Sequence, residues 1–260
     1  MALVGYFDAS GDASQSALAV AGFIGSTSQW SQFERAWRAV LDAEGVAELH
    51  MKEFAHSRGA FTAWKGDEAR RASFLGRLAD AMNAHTAKSV SVSLFMDHYN
   101  DFNRAFQLRE RLGAPYAFAS MFAVILAREW REQNRPGEPI SFVFERGDQD
   151  QGDLLATLRR LKIDQSFPVR FAPKRTRRSG QVVHHYPFQA CDFLAYESSK
   201  ASRTLLGADA PTTGQMAAEI KARKSLQLVA PRDRDMTWRF VDAALLTEFC
   251  QRFRVPRRPS

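Results

Sequence analysis

Several clusters of polar residues in this sequence have the types and spacing that chemistry needs. Asp8 stands in Tyr6-Phe7-Asp8-Ala9-Ser10-Gly11-Asp12, where an apolar run ends and a glycine-containing turn begins. Side chains carried on such a rigid edge often do chemistry. A carboxylate there can hold a divalent ion, because Mg²⁺ takes one or two carboxylates and completes its shell with waters and phosphates. The same residues also suit a turn in which Asp8 or Asp12 only satisfies loop amides, and the local sequence does not choose between the two. Ser10 and Asp12 are candidate supporting residues.

Asp192 lies in Gln189-Ala-Cys-Asp192-Phe-Leu-Ala195-Tyr196, soon after Tyr186-Pro187. On a helix Gln189, Asp192 and Tyr196 share one face, and Phe188, Cys191, Leu194 and Ala195 form roughly the opposite stripe. A carboxylate on so apolar a helix needs a partner, ideally a metal. A helix-dipole role near the positive end is the alternative. Gln189 is a candidate support for Asp192, whereas Glu197 falls about 140° away and is not paired with it. Glu145 ends the apolar alternation of Phe142-Val-Phe-Glu145-Arg-Gly-Asp148. It reads equally as a ligand or as a surface acid paired with Arg146, and Asp148 reads as a cap for the next helix.

Glu48 and His50, in Glu48-Leu-His50-Met-Lys-Glu, share a face if that segment is extended. They would then offer a ligand and a proton shuttle, although a half-buried edge strand gives the same pattern and is the favoured reading. Lys174, Arg175, Arg177 and Arg178 form a basic run without an acid, suited to nucleic-acid phosphates; a solvated basic loop is the bland alternative. His184 and His185 are adjacent, so at most one faces a site. No glycine-rich phosphate loop, His-Glu-x-x-His or Gly-x-Ser-x-Gly occurs, which removes several rival chemistries.

The elements that must position these residues follow from hydrophobic patterning. Leu3 to Phe7 and Ala17 to Ile24 predict a strand-loop-strand around Asp8. Thr27 or Ser28 is expected to cap a helix carrying Trp30, Phe33, Trp37 and Leu41. An extended stretch over Ala47 to Met51 and a loop over Ala55 to Trp64 come next. Helices are predicted over Asp67 to His85, Ala114 to Asn134, Gly152 to Leu161 and from Pro187 onward. Strands are predicted over Ser89 to Met96, Ile140 to Phe144 and Val169 to Ala172. Arg254 to Ser260 reads as a frayed tail. The alternation predicts one α/β domain over residues 1–260, with a mixed central sheet flanked by helices.

Composition bounds the rest. At 260 residues and 45% hydrophobic the chain can bury a large core, and no apolar run is long enough to span a bilayer. The start of the chain has no secretory signal pattern. With only two cysteines, Cys191 and Cys250, there is no disulfide framework, and both read as small buried hydrophobes in a cytoplasmic protein. The net charge of +7 favours polyanionic partners without proving them.

Taken together, Tyr6-Phe7-Asp8-Ala9-Ser10-Gly11-Asp12, Glu48-Leu-His50-Met, Gly59-Ala-Phe-Thr-Ala-Trp64, the strand ending in Glu145 before Arg-Gly, and Gln189-x-x-Asp192-x-x-Ala195-Tyr196 resemble the domain-of-unknown-function 3800 family of bacterial and phage proteins. The similarity runs from residue 4 to about 200. That family is placed in the ribonuclease H-like superfamily. The resemblance implies a mixed sheet whose first strand supplies one acid, a middle strand another and a late helix a third. These map to Asp8, Glu145 and Asp192 as ligands of Mg²⁺ or Mn²⁺, with Glu48 as a fourth catalytic candidate and His50 or His184 as a proton shuttle.

The implied reaction is phosphodiester hydrolysis assisted by two ions about 3.5–4 Å apart, in a phage-defence or mobile-element setting. Two departures stand out. Ala9 replaces the family's usual Glu after the first Asp, and Glu145 stands where Asp is commoner. They leave room for a nucleic-acid-binding or protein-partner-binding protein of the same fold that lacks turnover.

Overall fold

Apolar alternation at the start of the chain becomes the centre of a sheet. The computed structural model describes residues 1–11, 16–147, 150–163, 167–178, 181–205, 215, 218–220, 223–229 and 236–259. Asp12 and Asp148 lie outside the described residues. Leu3–Ser10 (β1) and Ala17–Ser26 (β2) pair antiparallel, with Phe7 opposite Gly22 and Asp8 opposite Ala21. β2 is buried along its whole length, as expected of a continuous apolar strand covered on both faces. Lys88–Phe95 (β3) adds antiparallel to β2, while Ile140–Glu145 (β4) runs parallel to β1 and Val169–Ala172 (β5) parallel to β4. Thr237–Val241 (β8) closes the far edge parallel to β3. The sheet is mixed and six-stranded, in the order β5-β4-β1-β2-β3-β8.

Both faces of the sheet are covered, so the chain has two hydrophobic layers. On one face lie Thr27–Ala43 (α1), Glu68–His85 (α3) and Tyr186–Thr204 (α8), packed through Trp30, Phe33, Trp37, Phe74, Leu78 and Phe193. On the other lie Pro115–Asn134 (α6), Gln151–Arg160 (α7) and Ala243–Arg252 (α10), with Phe118, Val124, Leu154 and Leu246 against Phe7 and Phe144. Every residue of α6 from Tyr116 to Ala127 is buried, which accounts for an apolar pattern with no polar face. Among the described residues no helix is long and apolar enough to cross a membrane.

Several expectations are corrected. The cap of α1 is Ser26, not Thr27 or Ser28; its hydroxyl accepts from Gln29 N while the Gln29 side chain accepts from Ser26 N. Ala47 to Met51 is not a strand. Leu49 N and Met51 N donate to side chains of α8 instead of to a neighbouring strand, and Met51–Ala55 (α2) follows at once. The predicted loop before Trp64 contains a 3₁₀ helix, Gly59–Trp64, which buries Phe61 and Trp64.

Met96–Ala105 (α4), Leu108–Leu112 (α5), Lys224–Val229 (α9), β8 and α10 are additions that the periodicity did not yield. Within the basic run, Arg175–Arg178 (β6) pairs antiparallel with Gln181–His184 (β7), giving a hairpin in place of a loop. The C-terminal segment is not frayed up to residue 259. Val255 is buried, Gln107 N donates to Pro256 O, and Arg258 N donates to Ala105 O.

Candidate functional site

The register of β1 and β4 creates the site. Phe7 pairs with Phe144 in parallel, so Asp8 and Glu145 follow side by side at the ends of neighbouring strands. Phe7 and Phe144 stack with ring centroids 5.2 Å apart on one face of the sheet. Period-two alternation sends the next residues, Asp8 and Glu145, to the face covered by α8. Tyr6, two residues before Asp8, confirms that facing by meeting Phe188 of α8 edge-on at 5.5 Å. Gly11 closes the strand end with a φ of 87°, where a side chain would be strained and a Cβ would sit 2.5 Å from Ala17 O.

Asp8 is 3% exposed. Its Oδ1 accepts from Ala9 N at 2.8 Å. Its Oδ2 lies 3.0 Å from Lys174 Nζ but has no hydrogen bond of acceptable geometry among the described residues. The same ammonium lies 2.8 Å from Glu145 Oε2. Lys174, expected to contact phosphate, thus bridges two of the acids. Burial disfavours the ammonium, but Asp8, Asp192 and Glu145 outweigh that and hold its pKa above the usual lysine range.

Asp192, on α8, accepts from Met51 N at 2.9 Å and lines the same cleft as Asp8 and Glu145. Burial raises its pKa against the pull of Lys174, and the Asp8 carboxylate adds to the rise. One turn earlier on α8, Gln189 Oε1 accepts from both Trp37 Nε1 and Leu49 N at 2.9 Å. Gln189 and Asp192 together therefore hang the segment carrying His50 on α8. Among the described residues, no three His, Cys, Asp or Glu side chains converge closely enough to hold a metal as they stand. Lys174 stands between two of the acids.

Burial also gives Asp8 a measurable signature. Desolvation, helped by Glu145 and opposed by Lys174, pushes its pKa up to about 8 from 3.8. The folded state then holds a proton that the unfolded state releases. The resulting stability is fully present below the unfolded pKa and is lost as pH rises through about 8. Asparagine does not titrate. Asp8→Asn is accordingly expected to gain on the wild type by up to about 5 kcal/mol between roughly pH 4 and pH 8, in metal-free buffer. Urea unfolding at several pH values reads this directly; a gap that stays constant with pH contradicts a buried, proton-holding Asp8.

The other candidates divide. Glu48 does not join the cluster: its carboxylate takes His184 Nδ1 at 3.1 Å and Arg175 at 3.2 Å, both from the β6–β7 hairpin. His184 is thereby engaged away from Asp8. His50 does line the cleft, and its Nδ1 is buried with no hydrogen-bond partner among the described residues. His185 lies at the start of α8, where burial, helped by Arg170, lowers its pKa. Ser10 lines the cleft. Ala9 packs towards the opposite hydrophobic layer from Asp8. Arg177 and Arg178 belong to β6, so the basic run is a strand beside the site. Cys191 and Cys250 are buried and unpaired, and Cys191 Sγ donates to Tyr6 O. Glu197 faces Arg223 and Ser225, away from Asp192.

The cleft measures about 530 Å³, and its wall includes Lys52, Arg146, Lys174 and Arg203. Arg146 and Arg203 were not singled out as ligand-facing from the sequence. A signal existed for Arg203: Asp192, Tyr196 and Arg203 are spaced so that all three fall on one side of α8. Compared with family models, curated proteins and solved structures, the chain matches none.

Proposed function

We propose that this protein is a divalent-metal-dependent nuclease of ribonuclease H-like fold, hydrolysing phosphodiester bonds in RNA or DNA. One observation carries the reading. Asp8 from the end of β1, Glu145 from the end of β4 and Asp192 from α8 line a single cleft. First strand, middle strand and late helix are the sources that the resemblance to the domain-of-unknown-function 3800 family implies, and the mixed sheet is compatible with it. The donor set fits Mg²⁺ or Mn²⁺, which prefer oxygen. The buried Asp8 Oδ2, which beyond its ion pair with Lys174 has no hydrogen bond among the described residues, adds to the fit.

Such an ion supplies Lewis acidity and lowers the pKa of bound water. The chain's own groups supply the rest. Lys52, Arg146 and Arg203 bring positive charge to the cleft wall, where a phosphodiester is drawn in by long-range attraction. The strand that follows Lys174, β6, carries Arg175, Arg177 and Arg178, residue types suited to a nucleic-acid backbone. His50, with its buried Nδ1 unengaged, is placed to take or give a proton at the cleft.

The test is cleavage of single- and double-stranded RNA and DNA in Mg²⁺ or Mn²⁺. Asp8→Asn and Asp192→Asn are each expected to lower the rate by about 100-fold or more, and a chelator to abolish it. Unchanged cleavage in both variants overturns the reading. A second reading, nucleic-acid binding without turnover, is favoured by the Lys174 ammonium between Asp8 and Glu145. Salt-sensitive, metal-independent binding without cleavage supports it.

A further inference from the structure

Lys174 is a fixed feature of the site. It lies two residues beyond the end of β5, and its carbonyl accepts from His185 N at 2.8 Å. The next residue, Arg175, and its pairing partner His184 both engage Glu48. The base of the β6–β7 hairpin is therefore tied to the segment before α2. This tie sets where the Lys174 chain begins, and its ammonium reaches Asp8 Oδ2 and Glu145 Oε2 at 3.0 and 2.8 Å.

Charge then limits what else the site accepts. Asp8, Glu145 and Asp192, when ionised, carry three negative charges, and Lys174 offsets one. A single divalent ion neutralises the remainder. Two divalent ions beside the ammonium would leave a net positive charge in a place where Asp8 is fully buried, and uncompensated charge is costly there. Asp8 and His50 both line this cleft, and among the described residues neither Asp8 Oδ2, which has only the ammonium beside it, nor His50 Nδ1 has a hydrogen-bond partner. The ammonium lies nearer to Glu145 than to Asp8, at 2.8 against 3.0 Å, and Asp192 has no ion pair with it among the described residues.

Resting on the metal-site reading above, we infer that the site takes one divalent ion, on Asp8 and Asp192, with the Lys174 ammonium as a built-in second cation on Asp8 and Glu145. Lysine then does permanently part of what a second exchangeable ion would do: it bridges the paired carboxylates and offsets one of their two charges.

Counting Mn²⁺ tests this without any substrate. Isothermal titration calorimetry and electron paramagnetic resonance of free Mn²⁺ give the ions bound per chain, and Asp8→Asn identifies those belonging to the site. One Asp8-dependent ion is expected in the wild type and in Lys174→Arg, and two in Lys174→Met. Two ions in the wild type, or a single ion in folded Lys174→Met, overturn the inference and leave the metal-dependent reading intact. No Asp8-dependent ion in any variant overturns both. If Lys174→Met does not fold, the wild-type count still decides, because one ion supports the inference and two reject it.

Discussion

Replacing Gly22 with alanine is expected to abolish folding or to cost more than about 4 kcal/mol, the range reserved for severe core disruption. Gly22 sits in β2 opposite Phe7. A Cβ there would overlap the Tyr6 carbonyl oxygen and stand 2.7 and 2.8 Å from two atoms of the Phe7 ring. None of these can yield cheaply. The carbonyl belongs to the central strand, and Phe7 is fully buried between Phe142 and Phe144. Any displacement would part β1 from β2 one residue before Asp8, so the site would be lost with the sheet.

Gly76→Ala is the matching control. It lies inside α3 with open space where the Cβ would go, and is expected to stabilise by about 0.5–1 kcal/mol. Expression, solubility and thermal unfolding of the two variants check the pair; a soluble Gly22→Ala with a near-native melting temperature contradicts the close approach of β1 and β2.

Gln189→Leu is expected to destabilise the protein by about 2–5 kcal/mol, because it strands two buried donors at about 1–3 kcal/mol each. Those donors are Trp37 Nε1 and Leu49 N, both bonded to the one Gln189 oxygen. Leucine is of similar bulk, so the loss falls on hydrogen bonding more than on packing. At the scale usual for a chain of this size, the melting temperature should fall by about 5–15 °C. Amide exchange should rise at Leu49 and Met51 before it rises in β2, because that segment is held to α8 by Gln189 and Asp192. A melting temperature within about 2 °C of wild type would show that the segment is held by other means. The result bears on function too, since His50 is carried on the same segment over the cleft.

Local chemistry made much of this legible in advance. The strand and turn around Asp8, the largely buried helix bearing Gln189 and Asp192, and the strand ending at Glu145 all follow from alternation, turn residues and helical spacing over a few positions. Such patterns act between near neighbours, and the folded chain keeps them. The α1 cap missed by only one residue, because Ser26 and Gln29 cap reciprocally where Thr27 and Ser28 offered the same hydroxyl chemistry.

What tertiary structure alone decided is which distant groups meet. Asp8 and Glu145 are neighbours because β4 docks parallel to β1 with Phe7 against Phe144, and no local pattern carries that pairing. Glu48 and His50 looked like two groups on one strand face. The side chains of Gln189 and Asp192 took the backbone amides of that segment instead, sending Glu48 to the hairpin and His50 to the cleft. Lys174 read as one cation of a phosphate-binding run, yet burial beside two carboxylates drew it inward. The sequence by itself determined which acids could be delivered; the sheet register and the cost of leaving a buried charge unpaired determined which of them share a site, and with which cation.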